Sequence, residues 1–339
     1  MVDHMSEARS QEPLVSLEQI QLTFERANSL LDRRRMRVLD NVTLAIQRGE
    51  ILGLVGESGS GKTTLGKTIV QLYRPRGRIL YGGSDLAAMS ERALLPIRRR
   101  LQMVFQDPLS SFNPHFSVGA SVALPLKLHG LVTRENARKR VFELLEQVGL
   151  NADHADRFPH ELSGGQLQRV AIARVLGLKP DLIVADEAVS KLDVSVRAQI
   201  LNLIRRANRA SHVGFVFITH DLAVARFLCD RIAVMYCGRI VEIGGTESIF
   251  SDPHHPYTAR LINARKSLDT VELASEGRDP STAPAACSFA PRCSRRQARC
   301  TQEQPVLTGN AFHHAVACFD PVQPSGAPRL NDVSCKTVA

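Results

Sequence analysis

The run Gly56-Glu57-Ser58-Gly59-Ser60-Gly61-Lys62-Thr63 constrains this chain more than any other feature. It fits the spacing G-x-x-x-x-G-K-[ST]. It follows Ile51 to Val55, a short apolar run that reads as a buried strand feeding a loop. Its glycines let the loop fold so that backbone N–H groups converge on phosphate oxygens, and the helix that follows adds its positive end. Lys62 is predicted to pair with β- and γ-phosphates, and Thr63 to offer its hydroxyl to magnesium. Gly56, Ser58, Gly59, Ser60, Gly61 and Thr64 complete the expected phosphate-binding set. A chance glycine-rich turn does not account for the strand before it and the helix after it.

A second apolar run, Leu182 to Ala185, ends in Asp186-Glu187. Alone, an apolar strand ending in two acids says little. Downstream of a phosphate loop it places Asp186 to hold magnesium through water, and Glu187 to orient or deprotonate the attacking water.

Strand-like and helix-like runs alternate along the chain, which predicts an α/β fold with a parallel sheet covered on both faces. Val15 to Gly83 reads as strand-rich. Residues 91–165 are rich in Arg, Glu, Leu and Ala, with Leu94, Leu95, Val141, Leu144, Leu145 and Val148 at helical spacing. The expected organisation is a core over 14–90 and 166–252, an inserted helical part over 91–165, an appendage over 253–320 and a disordered tail over 321–339. Hydrophobic residues make up 44% of 339, and Trp is absent, so the core should be aliphatic. No stretch approaches the ~18 apolar residues of a membrane-spanning helix, and Met1 to Pro13 lacks the apolar middle of a signal peptide. The chain is expected on the cytoplasmic side, touching a membrane only through a partner. The net charge of +9 suits phosphate-bearing partners. Arg33-Arg34-Arg35 and Arg98-Arg99-Arg100 carry no interleaved aromatic residues, so they read as solvated faces and no direct nucleic-acid binding is expected.

Leu162-Ser163-Gly164-Gly165-Gln166 lies between the two phosphate-related motifs and resembles the signature sequence of ABC ATPases. Ser163 is placed to cap a helix, and Ser163 and Gly165 could donate to a γ-phosphate at that helix's positive end. The resemblance covers about residues 14–320. It implies a P-loop ABC ATPase core, with a RecA-like parallel sheet, an antiparallel β subdomain and an inserted helical subdomain, acting on ATP with Mg2+. Gln106 resembles the glutamine that touches magnesium and reports to a membrane subunit. Ser190 and Asp193 resemble the loop linking two ATP sites, and His220 the histidine that holds the γ-phosphate. Phe24 is the candidate for stacking adenine, ahead of a long insert from Glu25 to Arg37. In that family the phosphate loop of one subunit faces the signature of another, so one set of motifs implies a dimer.

Gly53 to Thr64, Val104 to Pro108 with Phe112-Asn113-Pro114, and His255-Pro256-Tyr257-Thr258 resemble the oligopeptide, dipeptide and nickel importers. The likeness is to their second ATPase. It implies a heterodimer with a related ATPase, two transmembrane permease subunits and an extracytoplasmic solute-binding protein. Ala188 stands where most relatives have Pro, and Lys191 where most have Ala. Peptide import is the leading expectation. Import of nickel or a metal chelate is one alternative, and a soluble ATPase of a carbon–phosphorus lyase-like assembly is another.

Cys287, Cys293, Cys300 and Cys318 follow a C-x5-C-x6-C-x17-C spacing. A reducing compartment argues against disulfides. Four thiolates could hold zinc or an iron–sulfur cluster, or simply be free. The stretch Cys287-Ser-Phe-Ala-Pro-Arg-Cys293 resembles the tail of peptide-importer relatives that carry a 4Fe-4S cluster, which puts the cluster ahead of zinc. His313 and His314 read as bystanders.

Overall fold

The strand Val15–Ala27 (β1) begins with alternating burial that breaks once. Leu17 and Ile20 are both fully buried although three residues apart. A register shift lies between them, and Gln19 has φ 53°, so a bulge re-aims the following residues at the core. The computed structural model describes residues 12–27, 33–263, 286–311 and 313–322. Part of the long insert and nearly all of the expected tail, with Cys335, lie outside the described residues.

β1 pairs antiparallel with Arg33–Ile46 (β2) and with the strand that follows the first helix. In chain order come Ile51–Val55 (β3), Lys62–Ile69 (α1), Arg76–Tyr81 (β4), Ser84–Asp85 (β5), Glu91–Arg100 (α2) and Leu101–Val104 (β6). Then follow Val118–Leu128 (α3), Ala137–Gln147 (α4), Gly164–Leu176 (α5), Leu182–Asp186 (β7), Val194–Ser211 (α6), Gly214–Thr219 (β8), Leu222–Leu228 (α7) and Arg231–Tyr236 (β9). Arg239–Gly245 (β10), Thr246–Ser251 (α8), Pro256–Asn263 (α9), Thr308–Asn310 (β11) and His314–Val316 (β12) complete the order.

Among the described residues the strands form two sheets, a small one ordered β2-β1-β4-β5 and a large one ordered β11-β12-β10-β9-β3-β8-β7-β6. The small sheet is antiparallel throughout. In the large sheet, β9, β3, β8, β7 and β6 run parallel. β3, β7, β8 and β9 are buried along their full length, which explains their unbroken apolar sequences. This is the α/β architecture expected: the alternating runs predict the parallel sheet, and the ABC resemblance implies the antiparallel one beside it.

Two details differ from a reading by composition. Residues 91–165 are not helical throughout, because Leu101–Val104 pairs with β7 inside the large sheet. Four residues between an arginine-rich helix and a loop are too few to print a period of their own. Residues 308–316 extend the same sheet, since β12 pairs with β10.

A layer of helices packs beyond β6. Leu126, Val141, Leu145, Val148, Leu167 and Val170 belong to one buried cluster that continues under the large sheet. Because the central strands are parallel, the loops after β3, β6, β7 and β8 leave the sheet at the same edge. Ligands of open parallel sheets bind outside the carboxyl ends of the strands.

Candidate functional site

The phosphate loop leaves β3 at Gly56. Its φ is 150°, and a Cβ built there would lie 2.1 Å from the Met235 carbonyl oxygen, so only glycine lets the loop pass β9. Gly61 closes the loop at φ 103° with the backbone of Val38 close by. Ser58 and Gly59 form an exposed rim, while Ser60 and Lys62 are buried. Lys62 Nζ donates to the carbonyls of Gly56 and Glu57, each at 2.8 Å. Burial pulls the Lys62 ammonium below its ordinary pKa, and the nearby Glu187, Asp186 and Glu57 oppose that pull. Thr63 and Thr64 lie in the first turn of α1.

Thr63 Oγ1 donates to Asp186 Oδ1 at 2.9 Å, joining the loop to the end of β7. Asp186 is buried, and burial raises its carboxyl above the usual range against the hydrogen bond from Thr63. Glu187 turns out of the strand with φ 45°, a conformation uncommon outside glycine, and its N–H donates to the Ile218 carbonyl at 3.0 Å. Its carboxylate accepts from Gln106 Nε2 at 2.7 Å and meets His220 Nδ1 at 3.1 Å. Gln106 follows β6 and His220 follows β8, so three adjacent parallel strands deliver these side chains to one point. Ser190 Oγ donates back to the Glu187 carbonyl at 3.0 Å, and Asp193 caps α6 by accepting from the Val196 N–H at 2.9 Å.

The signature residues sit apart from this group, at the start of α5. Ser163 and Gln166 form a reciprocal capping box, with Ser163 Oγ accepting from the Gln166 N–H at 3.3 Å and Gln166 Oε1 from the Ser163 N–H at 3.0 Å. Ser163 and Gly164 are exposed, and Leu162 is half-buried. Gly165 is buried, and a Cβ there would lie 2.4 Å from Val196 Cγ1, so its lack of a side chain serves packing against α6. Among the described residues no hydrogen bond joins 162–166 to the phosphate loop. Phe24, half-buried on β1, meets Tyr73 edge-on at 5.2 Å between ring centroids.

Residues 39–190 match the family model described as ABC transporter, and residues 241–300 match the one described as oligopeptide/dipeptide transporter, C-terminal region. The chain is 39% identical over 323 residues to the oligopeptide transport ATP-binding protein AppF of Bacillus subtilis, covering 92% of this chain and 98% of that protein. This chain belongs to the ABC transporter ATP-binding family. Solved relatives agree in fold. The dimeric ATP-binding cassette MJ0796, in a post-hydrolysis state bound to ADP and Pi, superposes with a TM-score of 0.62 at 32% identity, over 68% of this chain and 98% of that one. CbiO1 of Clostridium perfringens, part of an ABC transporter complex, gives 0.62 at 26% identity, over 75% and 96%. The protein is thus an ABC ATPase, and no helix among its described residues is long and apolar enough to cross a membrane.

The C-terminal part of this ABC ATPase brings together side chains from far along the chain. Cys287, Cys293, Cys300 and Cys318 line one small cavity of about 10 Å³, with His255, Phe289 and Phe319 among its walls. None is in a disulfide. Burial pushes the Cys287 thiol up, and the Cys318 thiol up to about 11. No three of the four sulfurs lie within 4.8 Å of one another; among the described residues the group that meets that spacing is Glu242, His254 and His314. His314 does not line the cysteine cavity, but it has a structural part of its own. Its Nε2 bonds to the fully buried Glu242 at 2.6 Å, and its ring stacks on His254 at 4.0 Å. Glu242 also accepts from the N–H groups of His254 and His255. Burial alone would raise the Glu242 carboxyl, but these bonds outweigh it and hold it below the usual range. The arrangement ties β12 to β10 and to the start of α9. Reading by sequence missed Glu242, and missed the part that Glu57, Tyr257 and Arg292 play; all are polar residues whose partners are distant in the chain.

Proposed function

We propose that this ABC ATPase powers the import of peptides across a membrane, working from its cytoplasmic face. The observation that carries the reading is the match of residues 241–300 to the oligopeptide/dipeptide transporter C-terminal region, in the same chain as the ATPase segment. Its partners in this reading are a second, non-identical ABC ATPase, two membrane-spanning permease subunits and an extracytoplasmic solute-binding protein.

In the ATP cycle, Lys62 exchanges the carbonyls of Gly56 and Glu57 for β- and γ-phosphate oxygens. The amides and hydroxyls of Gly56, Ser58, Gly59, Ser60, Gly61, Thr63 and Thr64 surround the phosphates. Thr63, Asp186 and Gln106 hold magnesium. Glu187 accepts the proton of the attacking water, with Gln106 and His220 orienting it and His220 also reaching the γ-phosphate. The Gln106 and His220 contacts to Glu187 support these roles. Phe24 stacks on adenine. Residues 162–166, carried by the helical part over 91–165, act on the ATP of the partner subunit, where Ser163 and the orphan N–H groups at the start of α5 meet its γ-phosphate. Ser190 and Asp193 link the two sites.

The four cysteines are the proposed ligands of a 4Fe-4S cluster. Their convergence on one cavity supports a shared metal centre. When bound, such a cluster supplies a redox-active brace held by thiolates.

Reconstitution of the chain with its second ATPase and permeases tests the function. ATP turnover stimulated by a peptide-loaded binding protein is the expected result. Stimulation by a nickel or metal-chelate binding protein, or co-purification with soluble enzymes alone, would replace this reading.

A further inference from the structure

Glu57, the second residue of the phosphate loop, is held from three sides. Its N–H donates to the Tyr257 hydroxyl at 2.9 Å. Its carbonyl accepts from Lys62 Nζ. Its carboxylate meets the Arg292 guanidinium in a two-point pair at 3.1 and 3.3 Å, across 235 residues of chain. Two of the three holding groups lie outside the nucleotide-binding motifs. Tyr257 is 1% exposed near the start of α9, and Arg292 immediately precedes Cys293 at the cysteine cavity.

An aromatic pad keeps these groups in place. Tyr236, at the end of β9, packs on Tyr257 at 4.6 Å and on Phe289 at 5.3 Å, and Tyr257 packs on Phe289 at 5.5 Å. Gly56 passes directly against the backbone of Met235 on the same strand. The loop entry therefore rests on β9 beneath and is clamped by the C-terminal segment beside. A peptide whose N–H, carbonyl and side chain are all engaged has little freedom to rotate, and a phosphate cradle works by having its amides aimed before the ligand arrives.

We infer that Arg292 and Tyr257 are positioning residues for ATP: the cysteine-bearing C-terminal segment acts in cis on the phosphate loop through Glu57. This rests on the assignment of residues 56–63 as the ATP phosphate loop. The Arg292 fork suits a carboxylate partner in two-point geometry, which lysine cannot reproduce. Tyr257 acts on the backbone and Arg292 on the side chain of one residue, so the two constrain it independently.

The test is steady-state ATP hydrolysis by the full-length chain assembled with its second ATPase and permeases and carrying Glu57→Gln, Arg292→Gln or both, with thermal unfolding of the isolated chain measured alongside. The expected result is a KM for ATP raised about tenfold in each single variant, with kcat and the melting temperature near wild type. The double variant should be no worse than the weaker single, because either change breaks the same pair. Arg292→Lys should recover part of the loss, and Tyr257→Phe should raise KM independently of the pair. A KM within twofold of wild type in Glu57→Gln would overturn the inference, as would effects of the pair that simply add. Should Arg292→Gln fail to fold, Glu57→Gln decides alone. Lys62→Ala serves as control: normal turnover there would remove the phosphate-loop assignment itself, a failure distinct from an unchanged KM in the Glu57 variant.

Discussion

Gln106 Nε2 donates to the Glu187 carboxylate at 2.7 Å, joining residues 81 positions apart in the chain. The pairing follows from the sheet. β6 and β7 are parallel neighbours, so the residues just beyond them emerge side by side. Glu187 adds a left-handed turn that swings its carboxylate out of the strand line, leaving Asp186 buried behind it beside Thr63. Two adjacent acids thereby acquire different surroundings, one suited to a cation and one to water.

Lys62→Ala should reduce ATP affinity by at least tenfold, since it removes the buried ammonium aimed at the phosphates. The fold should persist, because Lys62 contacts chiefly loop carbonyls and the Ser60 hydroxyl. Isothermal titration with ATP checks this, and wild-type affinity would refute the assignment of Lys62 to the phosphates.

Much of this site was legible because its motifs are local. The phosphate loop, the paired acids and the helix-capping Ser163 each announce themselves within eight or fewer residues. The parallel sheet was legible because fully buried strands print unbroken apolar runs. β6 was hidden by its four-residue length, and β12 by its three. The contacts of His314 with Glu242 and of Arg292 with Glu57 leave no local pattern, because tertiary packing alone brings each pair together.

Gly165→Ala should destabilise the protein by about 1–3 kcal/mol. The added methyl would lie 2.4 Å from Val196 Cγ1, and the α5–α6 contact must part to admit it. Thermal unfolding measures the loss, and Val196→Ala in the same chain should recover part of it. An unchanged melting temperature for Gly165→Ala would show that the contact yields freely.

His255 predicts an acid-side slope in stability. Burial holds its pKa down to about 4, from an ordinary 6.5, against the opposing charge of Glu242. The unfolded chain therefore takes up the proton first as pH falls. The stabilisation is present above pH 6.5, is lost between about 6.5 and about 4, and levels off below, amounting to about 3 kcal/mol. Urea midpoints across that range should show the slope in wild type and its loss in His255→Asn. Parallel profiles would rule His255 out as the source.

Protein purified without oxygen should be brown and contain about four irons per chain. Cys293→Ser should bleach it. Colourless protein holding one zinc would decide for zinc, and metal-free protein would leave the cysteines as packing residues.

The most direct test of the ATPase mechanism is single-turnover hydrolysis of ATP bound to Glu187→Gln. The amide keeps the hydrogen-bonding shape and loses the basic oxygen. Hydrolysis should fall by about a hundredfold or more while ATP remains bound and holds the ATPase dimer closed. Undiminished hydrolysis would contradict the assignment of Glu187 as the group that accepts the proton of the attacking water.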